Sequence, residues 1–276
     1  MKKNARSVIV GVVSILVSAV FFLVPFAFIL VTASKDRAEA NLLEFSWPKN
    51  FVLFQNLSEA FVARDYLMII AFINSVVLTV ASVTLLVFLS AMVAYVWQRR
   101  SGPLSGVING LVLTGLIVPP AIVPTIWVLQ GVGLFKTMPG LILIEVAYGL
   151  PFCILLFRAF IAGVPRELDE AALVDGANPV QIFFRVIFPV LRSVMVTVII
   201  LQTVFVYNDF QNPLYFLPGT QNATIQLTLL SFQSQFTTQY NLLFATILLV
   251  TIPPLIMFIF FNRKIVEGMA AGSVKG

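Results

Sequence analysis

The residues of this chain that could carry chemistry are few, and one stretch holds many of them. Positions 158–192 contain eight charged side chains: Arg158, Arg166, Glu167, Asp169, Glu170, Asp175, Arg185 and Arg192. Within that stretch Glu170 offers a carboxylate to a basic partner. Ala171 and Ala172 beside it are small enough for another protein's backbone to approach. The same Glu-Ala-Ala string equally suits an ordinary solvated amphipathic helix. Elsewhere the inventory excludes more than it offers. There is no His, so His-based metal sites and His general bases are absent, and the single Cys153 cannot form an internal disulfide. With no metal-ligand constellation and no nucleophile–base pair, the sequence predicts no enzyme. The nearest approach to a phosphate-binding loop, Gly131 to Thr137, has Phe135 where a Gly must precede Lys136. ATP therefore cannot be bound by that route.

The elements that position these residues are apolar. Of 276 residues, 59% are hydrophobic and 11% charged, with a mean hydropathy of +1.00. Soluble domains sit near 45–50% apolar and about 25% charged, so the length is better read as a count of membrane helices of about 20 residues each. Charges mark their limits. The pattern predicts six spans, at about 8–31, 68–97, 106–130, 140–157, 190–208 and 241–261. The first follows Lys2, Lys3 and Arg6 and precedes Val31-Thr32-Ala33, as in a signal peptide. At about 24 residues it exceeds the 7–15 of a signal core, and is expected to stay as a membrane helix. With both ends inside, twelve of the 17 basic residues face the cytoplasm and five (Lys35, Arg37, Lys49, Arg64 and Lys136) face out. The positive-inside rule favours that orientation. The basic balance then needs no nucleic acid.

Position 158–192 becomes a cytoplasmic loop in this arrangement. Pro165 suits a first helical turn, and Glu167, Asp169 and Glu170 place negative charge at that helix's positive end. Asp175-Gly176 is a stop signal, and Asn178-Pro179 reads as a cap followed by Pro at the start of another helix. The loop is thus two helices at a sharp turn.

Taken together, Glu170-Ala171-Ala172, three residues, Gly176, nine residues, then Val186-x-Phe188-Pro189 resembles the coupling-loop signature of ATP-binding-cassette importer permeases. Val186 and Phe188 stand where Ile and Leu are usual, and the spacing matches without a gap. Further segments resemble the carbohydrate (maltose-type) branch and its smaller permease subunit. They are Asn74-Ser75-Val76, Ala94-Tyr95, Val118-Pro119-Pro120 with Ile122-Val123-Pro124, Gly133 to Thr137, Gly140 to Leu143, Leu150-Pro151-Phe152, Tyr207-Asn208-Asp209-Phe210 and the glycine-containing tail Gly268 to Gly276. The likeness covers about 70–276 well and the first 65 residues only in plan.

The resemblance implies an all-α polytopic type I importer permease with a cytoplasmic coupling helix, in a bacterial-type inner membrane. It implies residues 1–65 as a first helix with an outer loop, 66–262 as the permease core with a coupling loop at about 163–186, and 263–276 as a cytoplasmic tail. The implied partners are a second permease subunit, two ATPase subunits or domains that use ATP and Mg²⁺, and an extracytoplasmic solute-binding protein, all in contact with membrane lipid. This chain itself would bind no cofactor or metal. Glu170, Ala171, Ala172, Asp175 and Gly176 would meet the ATPase. Trp127, Tyr148, Tyr207 and Asn208 could line a sugar path, since sugars present apolar faces and many hydroxyls; each aromatic could equally be packing or an interface belt. Pro119, Pro120 and Pro124 form either a hinge or a static kink. Glu145 is either a functional acid within a span or a headgroup-level residue. The polar, uncharged stretch from about Gln211 to Tyr240 either touches the binding protein or merely connects. The rival reading, a secondary ion-coupled carrier, predicts ionisable residues deep in the spans and internal repeats, and neither is evident.

Overall fold

A computed structural model describes residues 5–100, 102–232 and 239–273, with side chains described throughout these except at 5–9, 104, 220, 231, 257 and 261–273. The described residues form helices and their connections, with no strand among them. In chain order the α-helices are α1 (Ala5–Ala33), α2 (Arg37–Ala40), α3 (Leu53–Arg99), α4 (Pro103–Ile117), α5 (Ile122–Gly131), α6 (Met138–Ile161), α7 (Glu167–Val174) and α8 (Pro179–Gln181). They continue with α9 (Phe188–Val190), α10 (Arg192–Tyr207), α11 (Gln211–Phe216) and α12 (Tyr240–Ser273). A π-helical turn, Ile182–Ile187, joins α8 to α9, and 3₁₀ turns occupy Thr220–Asn222 and Ile225–Phe232.

Four of these helices contain stretches long and apolar enough to cross a membrane: Val10–Ala33, Leu53–Arg99 (broken at 63–66), Met138–Ile161 and Tyr240–Phe260. The helix pair Pro179–Val190 and Arg192–Tyr207, bent by 76°, meets the same length and composition test when the two are taken together. The stretch expected as one span at 106–130 is instead two shorter apolar helices. Pro119 and Pro120 lie in the extended break between them, where each removes a backbone donor and Pro120 forces its predecessor out of the helical region.

The chain divides into two compact units. The first comprises residues 1–70 and 227–253. Its apolar centre is Ala33, Ala60 and Ala245, closed by Leu53, Leu57, Phe232, Phe244, Leu248 and Leu249. Three short contacts tie the segment after α1 to it. Asn56 Nδ2 donates to the carbonyls of Ala33 and Lys35, both at 2.8 Å. Asn241 Nδ2 donates to Asn56 Oδ1 at 2.9 Å. Lys35 is only 1% exposed, and its ammonium donates to Glu44 O at 2.7 Å and Ser46 Oγ at 2.9 Å. These bonds offset part of the cost of taking a charge out of water. The stretch expected as an outer loop, 35–65, therefore carries helical structure, which ends where Arg64, Asp65 and Tyr66 turn left-handed.

The second unit comprises 71–226 and 254–276. Its largest apolar cluster joins α3 (Val83, Leu86, Val87, Ala91, Ala94, Trp97), α6 (Cys153, Ile154, Phe157, Ile161), the loop residues Val164, Ala172, Ile182, Phe183 and Ile187, and the start of α10 (Leu191, Val194, Val198). A second cluster gathers Leu78, Leu129, Leu141, Ile144, Val206, Phe216 and Leu217. In the first, the α3 contribution falls at helical three- and four-residue spacing, which puts it on one face.

Candidate functional site

The loop after α6 is built as its residue types require. Glu167, Asp169 and Glu170 occupy the first turn of α7, where the helix dipole favours negative charge. The helix closes at Asp175, and Gly176 follows with φ +81°, a left-handed conformation that glycine adopts freely. Asn178 then caps α8 in a reciprocal box: its side chain accepts from Gln181 N, and Gln181 Oε1 accepts from Asn178 N, both at 2.9 Å.

The two faces of α7 have different partners. Asp169 and Ala172 point inward. Tyr95 donates its hydroxyl hydrogen to Asp169 Oδ1, and Arg99 Nη2 lies 2.9 Å from Asp169 Oδ2. The same guanidinium nitrogen donates to the carbonyls of Val164 at 3.1 Å and Pro165 at 3.3 Å. Ala172 is buried in the cluster with Trp97 and Phe183. Glu170, Ala171, Leu173, Val174, Asp175 and Gly176 are exposed. Of the five coupling residues read from sequence, four thus share the open face, and Ala172 packs behind it. A second clamp lies alongside. The Arg158 guanidinium stacks 3.6 Å from the Trp97 ring centre, and its Nε donates to Gln98 Oε1 at 3.2 Å, a cation–π contact added to a hydrogen bond.

The sequence marks Tyr95 only within the Ala94-Tyr95 segment and gives neither it nor Arg99 as a partner of α7. A usable signal existed: Tyr95 and Arg99 are four residues apart, hence on one face at the end of α3. An acid-rich turn elsewhere needed a partner of that kind.

The four candidate path residues do not form one lining. Trp127 stands 66% exposed on α5. Tyr148 packs against the Leu78–Phe216 cluster, Tyr207 is buried at the end of α10, and neither hydroxyl has a hydrogen-bond partner. Asn208 is exposed, donating to Val204 O at 2.8 Å and accepting from Gln226 Nε2 at 3.1 Å. Pro119, Pro120 and Pro124 are exposed around the α4–α5 break. Glu145 is 2% exposed and accepts from Asn212 Nδ2 at 3.3 Å. Asp209, which also faces Glu145, caps the first residues of α11 through Gln211 N at 2.8 Å. Glu145 is thus a buried polar residue bound to its neighbours. Part of the stretch expected to reach a binding protein, 233–238, lies outside the described residues. In the expected tail, the backbone of α12 stays helical to Ser273, and 274–276 lie outside the described residues.

Similarities to known proteins agree with this layout. The melibiose/raffinose/stachyose import permease protein MelC of Bacillus subtilis is 29% identical over 256 residues, covering 92% of this chain and 91% of its own. The diacetylchitobiose uptake system permease protein NgcG of Streptomyces coelicolor is 32% identical over 261 residues, covering 93% and 85%. In three dimensions, the crystal structure of a bacterial ABC transporter involved in the import of the acidic polysaccharide alginate matches with a TM-score of 0.80 at 18% identity, over 95% of this chain and 99% of that one. The fold is accordingly that of an ABC importer permease. Residues 86–270 match the family described as binding-protein-dependent transport system inner membrane component. That match runs from the middle of α3 through the whole loop with its two-faced helix, and on that ground the chain belongs to this family of non-catalytic, multi-pass permease subunits of binding-protein-dependent transport systems.

Proposed function

We propose that this chain forms one half of the translocation path of an ATP-driven importer for a sugar or sugar-like solute, working by alternating access. Both termini face the cytoplasm of a bacterial-type inner membrane. A second permease subunit supplies the other half, and a solute-binding protein delivers the cargo from outside. Two partner ATPase subunits or domains bind ATP and Mg²⁺. Their closure draws the docked loops together and rocks the helices from inward-open to outward-open.

The observation that carries this reading is the exposed face of α7. Glu170, Ala171, Asp175 and Gly176 are presented to solvent, while Asp169 and Ala172 hold the helix from behind. A small, acidic, rigidly backed helix suits insertion into a basic cleft. The sugar class is supported by the relatives, two of which are named as oligosaccharide permeases. Trp127, Tyr148, Tyr207 and Asn208 are the residues of this chain proposed for contact with such a solute, and the break around Pro119, Pro120 and Pro124 is proposed as the hinge. Tagged chain purified from its own membranes should bring down an ATPase carrying a Walker A sequence and a second permease. Purification of a chain with no ATPase at any detergent strength contradicts the proposal.

A further inference from the structure

The part of α3 that follows its break at 63–66 is latched near both ends, and each latch holds a different segment outside the helix. At the Arg99 end, Tyr95 and Arg99 grip Asp169 of α7. Toward the other end, Asn74 Nδ2 donates to the carbonyls of Gln221 at 3.2 Å and Ala223 at 3.0 Å. Ser75 Oγ accepts from Ile225 N at 2.8 Å. The polar segment after α11 is therefore pinned by side chains of α3 at three alternate residues, Gln221, Ala223 and Ile225. About 20 residues separate Ser75 from Tyr95, or roughly 30 Å at 1.5 Å per residue, which is the thickness of the hydrocarbon core.

The helix between the latches is built to stay straight. Residues 67–99 contain neither Pro nor Gly, the usual causes of a kink. Helix α1 holds Pro25, α6 holds Pro151, and α12 holds Pro253 and Pro254. One stripe of α3 is buried from residue 71 to 97: Ala71, Ser75, Leu78, Ser82, Leu86, Ser90, Ala94 and Trp97, spaced by three or four residues. Five of these eight are Ala or Ser, and bending a helix packed along such a stripe would open voids.

From this geometry we infer that α3 is a rigid connector joining the coupling loop to the polar segment 221–225. Asp169, Tyr95 and Arg99 are its positioning residues at the ATPase side, and Asn74 and Ser75 at the opposite side. The inference rests on the importer reading above. It adds that the docked state of the ATPase and the placement of 221–225 are coupled through hydrogen bonds made by one helix. A displacement of α7 moves α3 as a body, and α3 carries the segment with it.

The test uses the reconstituted importer with its binding protein and measures ATPase activity with and without solute-loaded binding protein. Asp169→Asn and Ser75→Ala each leave the complex assembled and folded at the assay temperature, and stimulation is read as a ratio to each variant's own unstimulated ATPase. Each lowers stimulation at saturating binding protein by roughly fivefold or more, the lower end of ordinary coupling energies. Asp169→Glu and Ser75→Thr, which keep the accepting oxygens, restore it. Because both latches act in series on one helix, the double variant Ser75→Ala/Asp169→Asn loses no more than the worse single variant. Unchanged stimulation in the single variants, or fully additive losses in the double one, overturns the connector. A wild-type complex whose ATPase ignores the binding protein overturns the importer reading itself, and the connector with it.

Discussion

Replacing Gly176 separates the strain of a turn from the occupation of a docking surface. The residue sits at φ +81°, and a Cβ built there meets no atom within 4 Å. Any L-residue at this position therefore carries a conformational cost of about 1–2 kcal/mol, and no steric clash with the chain's own atoms adds to it at the Cβ. Gly176→Ala and Gly176→Trp share that cost. They differ in what they project from the open face of α7. If this face enters a cleft of the ATPase, an indole there acts like the loss of an interface hot spot, about 3 kcal/mol or roughly a hundredfold. The assay is ATP-dependent uptake into proteoliposomes holding the complete complex, alongside co-purification of its subunits. Gly176→Ala is expected to keep most of the uptake, whereas Gly176→Trp falls to about a hundredth or less while the two permeases remain associated. Normal uptake by Gly176→Trp refutes the docking argument. An equal collapse in both variants refutes it too, because strain alone would then account for the loss.

Three further outcomes follow from the geometry. Asn178→Ala removes one arm of the capping box and is expected to lower stability by about 1 kcal/mol, seen as a lower thermal midpoint with unchanged subunit composition. Arg158→Met keeps the aliphatic length but loses the contact over Trp97 and the bond to Gln98; a loss of about 1–2 kcal/mol is expected by the same measurement. Glu145→Gln retains an acceptor for Asn212, so ATP-driven uptake should stay within about twofold of wild type. An ion-coupled carrier relying on that acid would instead lose transport altogether.

Some of this architecture was legible in the sequence because charge cannot enter hydrocarbon cheaply. The span expected at 140–157 is Met138–Ile161, and that at 190–208 coincides with α10, Arg192–Tyr207. The turn chemistry of the loop was readable too, since Pro165, Gly176 and Asn178-Pro179 act locally. Other features depend on neighbours distant in sequence. Asp169 looks like its acidic companions Glu167 and Glu170 until α3 brings Tyr95 and Arg99 beside it, 74 and 70 positions away. The bonds from Asn74 and Ser75 to 221–225 span about 150 positions. The break at Arg64, Asp65 and Tyr66 carries no glycine, so no local signal announced it. The proline cluster did announce a disruption, and the span expected at 106–130 is two helices.

Under the proposed function, transport through this chain is driven by a partner ATPase and fed by a binding protein. That function is tested most directly by measuring sugar uptake into proteoliposomes containing the purified complex, with ATP and Mg²⁺ inside, binding protein outside and a protonophore present. Uptake should require both ATP and binding protein and survive the protonophore. Uptake that proceeds without ATP and vanishes when the ion gradient collapses would contradict the proposed function.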